Sequence, residues 1–153
     1  MPGSRRRARE AALQVLFAAD LSGTLEPVGV REACDELIRD LELPARSLER
    51  AREIVSGVAS HAKAIDEAIG AVSSCWRLDR MGGVERNILR VAAFELLFEP
   101  TTPVEVVLDE AIEIARRFGG EASPGFVNGV LDPLARQRER LLCSCAPVAV
   151  EEE

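Results

Sequence analysis

At 153 residues with a formal net charge of −7, the chain has the length of one domain and enough material for a sizeable apolar core. Ala, Leu, Arg and Glu are abundant and Tyr is absent, which favours helix over sheet. No apolar run reaches the roughly 18 residues that span a bilayer, no signal-peptide core is evident, and the acidic balance argues against a generic nucleic-acid binder with a broad basic face. The expected location is the cytoplasm.

In chain order, a first helix is expected from about Arg5 to Leu21, with Ser4 as its N-cap. Ala8, Ala12, Val15 and Ala19 make a small-residue stripe, flanked by Leu13 and Leu16, that lets a neighbouring helix approach closely. Arg5, Arg6, Arg7 and Arg9 project from the first two turns, and residues 1–9 contain no acid. The positive end of a helix dipole favours carboxylates there, so four arginines oppose it. That conflict points to an external anion, with single-stranded RNA phosphate the obvious candidate. A frayed, solvated basic terminus fits the charge alone equally well. Phe17 lies further along the same helix, near the Gln14 and Glu10 edge. It is either a core side chain or an exposed ring on which a base could stack.

Ser22-Gly23 and Pro27 mark a loop. A second helix carries Val30, Ala33, Cys34, Leu37, Ile38 and Leu41 and stops before Pro44. Cys34 reads as a small buried hydrophobe. A third carries Leu48, Ala51, Val55, Val58, Ala59 and Ala62, and the periodicity continues through Ile65, Ala68, Ile69 and Val72 with a bend near Ala62. His61 has no catalytic partner in the pattern and reads as a surface or satisfied residue. Trp76, at an element boundary, is expected to be buried.

Asp79 to Gly83 turns the chain into a helix from Val84 to Phe98 that is apolar nearly all round and therefore central. Pro100 and Pro103 end it. Val104, Val107, Leu108, Ala111, Ile112, Ala115 and Phe118 then mark an amphipathic helix. Gly119 and Gly120 are expected to close it in the left-handed conformation. Ser123 and Pro124 read as N-cap and first residue of a last helix through Phe126, Val127, Val130, Leu131 and Leu134. Gly129 inside it is expected to permit close packing. The fold class is all-α, about seven helices. Residues 1–142 form one domain with halves at about 5–74 and 79–142, and 143–153 form a disordered acidic tail. Cys143 and Cys145 lack a second pair at zinc spacing, so no metal site is expected. No phosphate loop or nucleophile–base pair is present, and Asp109, Glu110 and Glu113 fit a solvated helix face. No catalytic residue and no cofactor is expected.

Four stretches together carry a resemblance. Arg5-Arg6-Arg7-Ala8-Arg9-Glu10, Gly83-Val84-Glu85-Arg86 to Leu89-Arg90-Val91-Ala92, Asp109-Glu110-Ala111-Ile112-Glu113, and Phe126-Val127-Asn128-Gly129-Val130-Leu131-Asp132 resemble NusB, the bacterial antitermination factors that bind boxA RNA. The match runs from residue 4 to about 136. It implies two packed three-helix bundles with the first helix shared between surfaces. It also implies a non-catalytic adaptor that binds single-stranded boxA RNA of ribosomal RNA operons and the ribosomal protein NusE within the RNA polymerase antitermination complex. Arg5, Arg6, Arg7, Arg9, Phe17, Phe126 and Asn128 are the RNA-binding candidates. Asn128 would read a base edge or order the turn. Glu85, at the start of the central helix, is the NusE candidate, although a carboxylate there also favours the helix dipole. Homodimers are known among relatives. Pro124-Gly125 departs from the larger polar residues usual before Phe126. The competing reading is a helical protein-binding adaptor without sequence-specific RNA binding.

Overall fold

The structure, a computed structural model, describes residues 3–73 and 77–150, with side chains through Arg138. It contains seven α-helices: α1 (Ser4–Leu21), α2 (Pro27–Ile38), α3 (Ala45–Ser60), α4 (Ala62–Val72), α5 (Gly83–Phe98), α6 (Val104–Phe118) and α7 (Ser123–Val150). A 3-10 turn, Leu78–Arg80, precedes α5, and no strand occurs among the described residues. The all-α expectation holds.

The starts and stops follow from local chemistry. Glu26 caps α2 by accepting the Gly29 N–H on its side chain, with Pro27 supplying the first helical residue. His61 ends α3 and begins α4, which places the expected bend at a single residue. Glu99 ends α5 just before Pro100. At α1 the cap is Gly3 rather than Ser4, and no side chain accepts a hydrogen bond from the first turn.

α1, α2 and α3 pack on one another, as do α5, α6 and α7, and α1 and α3 rest on α5. Ala8, Ala12, Val15 and Leu16 are fully buried, so the small stripe does bring α1 into close contact. Every residue from Asn87 to Leu96 is buried, and α5 is the central helix. Where α3 crosses it, Gly57 leaves room only for the ring of Phe94. α4 belongs to the N-terminal half by sequence but packs chiefly on α5 and α7.

Two expectations about backbone are corrected. Gly119 is extended (φ −100°, ψ −175°), and Gly23 is the glycine with positive φ among the described residues. Glycine stands at 119 because a Cβ there would lie 2.5 Å from Ser123 Oγ and 2.9 Å from the Ala115 carbonyl. Gly129 is exposed, with nothing within 4 Å of an added Cβ, so no close helix packing requires it. The backbone of α7 is helical to Val150, within the stretch expected to be an acidic tail. Trp76 and residues 151–153 lie outside the described residues.

Glycine in a solvated helix interior is worse than alanine by about 1 kcal/mol. Gly129→Ala is therefore expected to stabilise the fold by about 0.5–1 kcal/mol, read as a raised urea midpoint with an unchanged slope; a loss of stability would mean that position 129 is packed.

Candidate nucleic-acid interface

The polar residues of α5 are mostly turned inward. Glu95 is 1% exposed, and Arg9 of α1 grips its carboxylate with both Nε (2.8 Å) and Nη2 (2.9 Å). Arg50 of α3 adds a contact to Glu95 at 3.2 Å and also binds Glu99. At the other end of α5, Asp20 of α1 meets Arg86 (2.8 Å), Asn87 (3.0 Å) and Arg90 (3.0 Å). Arg90 also pairs with Asp66 of α4 through two nitrogens, and Arg86 donates to the carbonyls of Leu78 and Met81 to hold the 3-10 turn. Burial of Asp20 works against its charged form. Hydrogen bonds from Arg86 and Asn87 and the charge of Arg90 outweigh that and hold its carboxyl below the usual range.

The four arginines expected to face a phosphate are thereby divided. Arg9 is 5% exposed and committed to Glu95, so it is internal wiring rather than a free cation. Sequence alone could not show this, because the partner is 86 positions away. Arg6 pairs with Glu110 of α6 through two nitrogens at 2.7 and 3.0 Å. That hydrogen bond holds the Glu110 carboxyl below its ordinary range. Arg7 donates to the Glu42 carbonyl at 3.2 Å and keeps the rest of its hydrogen-bonding capacity. Arg5 is exposed and has no ion pair among the described residues. Ser47 Oγ of α3 donates to the Ser4 carbonyl at 3.1 Å, so this end of α1 is fastened to α3 and is not a frayed arm.

Arg6, Glu10, Gln14 and Phe17 follow one another at helical spacing and share one face of α1. Glu10 binds Arg117 of α6 at 2.7 Å. Phe17 is 37% exposed and lies against the backbone of Gly83, where a Cβ would come 2.8 Å from its ring. It is not beside the arginine cluster. Twelve residues of helix put it about 18 Å along the axis from Arg5.

Phe17 therefore belongs to the end of the molecule where α5 and α7 begin. Arg80, Met81, Gly82, Glu85, Ala122, Ser123 and Phe126 line a groove of about 230 Å³ there. Ser123 Oγ accepts from the Gly120 N–H at 2.9 Å and donates to Glu85, which ties α5 to α7. The Glu85 carboxylate thus has an internal partner while still facing the groove. Asn128 is exposed but two positions from Phe126, about 200° around the helix, so the structure does not bring those two together. Arg117, half-exposed beside the α1 face, escaped the sequence reading because Arg116-Arg117 at a helix C-terminus is what the helix dipole favours anyway. No group of potential metal ligands occurs among the described residues, and no helix there is long and apolar enough to cross a membrane.

The chain has known relatives. The model of the NusB family matches residues 6–136. The Anaeromyxobacter dehalogenans transcription antitermination protein NusB is 46% identical over 147 residues, covering 92% of this chain and all of that one. The solved T. maritima NusB superposes with a TM-score of 0.75 at 38% identity, covering 90% of this chain and 94% of that one. A crystal structure of the antitermination factors NusB and NusE in complex with dsRNA is also similar, with TM-score 0.73, 29% identity, and coverage of 89% and 98%.

Two outcomes separate wiring from surface. Removing one member of a buried ion pair costs about 3–5 kcal/mol, so Arg9→Ala should lower the urea-unfolding free energy by that amount. Arg5→Ala should stay within about 0.5 kcal/mol of the parent; equal effects would show that Arg9 is not structural. The Asp20 carboxyl has a depressed folded pKa, so its contribution is present above the unfolded value of about 3.9 and lost as pH falls through the folded one. Asp20→Asn should be less stable at pH 7 and show a flatter loss of stability below about pH 4. Identical acid profiles would exclude Asp20 as a source of that dependence.

Proposed function

Because this chain belongs to the NusB family, and the relatives it matches are transcription antitermination proteins, we propose that it binds boxA-type RNA of ribosomal RNA operons together with NusE. In that assembly it acts as a non-catalytic adaptor that helps RNA polymerase pass terminators. The observation that carries this reading is the α1 face, which leads from Arg6 past Glu10–Arg117 and Gln14 to Phe17 and the groove at Phe126. Cations at one end and part-exposed rings at the other are what a single strand needs: phosphate contacts that set register and aromatic faces on which bases stack. An extended strand, rather than one nucleotide, is required to reach both ends.

Arg5, Arg6 and Arg7 hold phosphates, and Arg9 positions their helix. Phe17 and Phe126 stack bases, and Asn128 contacts RNA from a neighbouring face of α7. Glu85 and the start of α5 receive NusE. A carboxylate at that docking point suits a basic ribosomal protein, since complementary charge speeds encounter and fixes orientation. The solved relative bound to NusE holds duplex RNA, so the strandedness preferred here is part of the test.

Fluorescence anisotropy of labelled boxA RNA, a scrambled strand and a boxA duplex, with and without NusE across a salt series, tests the proposal. The single strand of boxA sequence should bind best and tighten with NusE. Three phosphate contacts contribute a log–log salt slope of about −2, which Arg5, Arg6 and Arg7 to Ala should remove. Equal, weak binding of all three RNAs with no response to NusE would replace this reading with a helical protein-binding adaptor.

A further inference from the structure

On the side of α1 away from Arg6, a cleft of about 730 Å³ opens between the N-terminal ends of α1 and α3 and the C-terminal end of α5. Arg5 of α1 and Arg46 of α3 line it, both exposed and neither in an ion pair among the described residues. The Ser47–Ser4 hydrogen bond fixes the two helix ends beside each other, so these guanidinium groups share one opening. Neither helix has an acidic residue in its first turn or a side-chain cap, and Glu49, three residues after Arg46 on α3, is the acid nearest to Arg46 in the sequence.

The acids in the cleft, Glu49, Glu53, Glu95 and Glu99, equal its arginines in number, and three of the four are paired. Glu95 is bound by Arg9 and Arg50, and Glu53 and Glu99 by Arg50, which leaves Glu49 facing two free arginines. The cleft also contains an aromatic surface. Phe98, at the last turn of α5, is 38% exposed, lines the cleft, and carries His61 stacked on its ring at 4.0 Å between centroids and 15° between planes. That contact holds the ring in a fixed orientation.

We propose that this cleft is a second subsite for single-stranded RNA, taking a backbone phosphate between Arg5 and Arg46 and a base against Phe98. RNA flanking boxA would then continue past the first turn of α1 and across α3. The subsite rests on the RNA-binding reading above but uses a different surface from the α1 face and the Phe126 groove. Arg5 stands where the two surfaces join.

The test compares boxA RNA with the same RNA extended by about six uridines at its 5′ or its 3′ end, by anisotropy over a salt series. The parent protein should bind one extended RNA more tightly than the unextended one. Arg46→Ala should abolish that gain, lower the salt slope on the extended RNA by about 0.7, and leave the unextended RNA unaffected. Phe98→Leu should weaken the extended RNA at least about five-fold, the smallest loss expected for one base stacked on an aromatic ring. Arg39→Ala, at an exposed arginine outside the cleft, should change neither RNA. Thermal melting of Arg46→Ala should match the parent, because Arg46 makes no ion pair. If boxA binds but neither extension improves affinity, or if Arg46→Ala weakens both RNAs alike, the subsite is overturned alone. If the parent binds no RNA, the subsite and the proposed function fall together.

Discussion

A carboxylate cannot stay ionised in an apolar interior without a partner, and Glu95, on the central helix, is 1% exposed. Arg9 and Arg50 supply the countercharge, so α1, α3 and α5 must meet at one point. Asp20 imposes the same condition at the far end of α5, where Arg86, Asn87 and Arg90 converge on it. α1 is thus clamped to α5 near both of its ends. Ion pairs of this kind contribute little net stability compared with well-packed apolar side chains. Their effect here is to fix one axial register of α1 on α5, a register that purely apolar contacts define less sharply.

That register is what makes α1 useful as a surface. Arg6, Gln14 and Phe17 are held at constant spacing on a helix that cannot slide, and the first turn is fastened to α3 through Ser47. Residues already ordered lose less conformational freedom when a ligand arrives. The arginine run therefore does two jobs in five positions. Arg9 points inward to set the helix, while Arg5, Arg6 and Arg7 leave it in three directions, toward the α3 cleft, toward α6 and toward the loop before α3.

The fold was legible in the sequence wherever a residue acts through its immediate neighbours. Pro100 and Pro103, the bend beside His61, and the largely apolar pattern of α5 all appear where the spacing places them. What could not be read depends on distant groups. Gly119 does cap α6, but in an extended conformation with Ser123 pressed against it, and Gly129 looks like a packing glycine until its surroundings prove open. α4 follows α3 in the chain but settles on α5 and α7. The candidate site divides in the same way. The charge conflict at the start of α1 and the family-like run from Gly83 to Ala92 were visible. Whether each arginine faces solvent or a carboxylate was not, because the partners lie on other helices. Arg46 gave no signal, since an isolated arginine on a helix face is ordinary.

The long reach of these ion pairs also sets an order on synthesis. Arg9 and Asp20 leave the ribosome early, yet their partners stand 86 positions later at Glu95 and 66 positions later at Arg86. Until α5 emerges, α1, α2 and α3 can associate through their apolar faces and their own polar contacts, such as Ser47 to Ser4, but Arg9 and Asp20 lack their partners. Contacts so distant in sequence carry a loop-closure cost that must be met before they contribute, which delays the docking of α1. The arginine-bearing surface therefore acquires its final shape only once the central helix has been made.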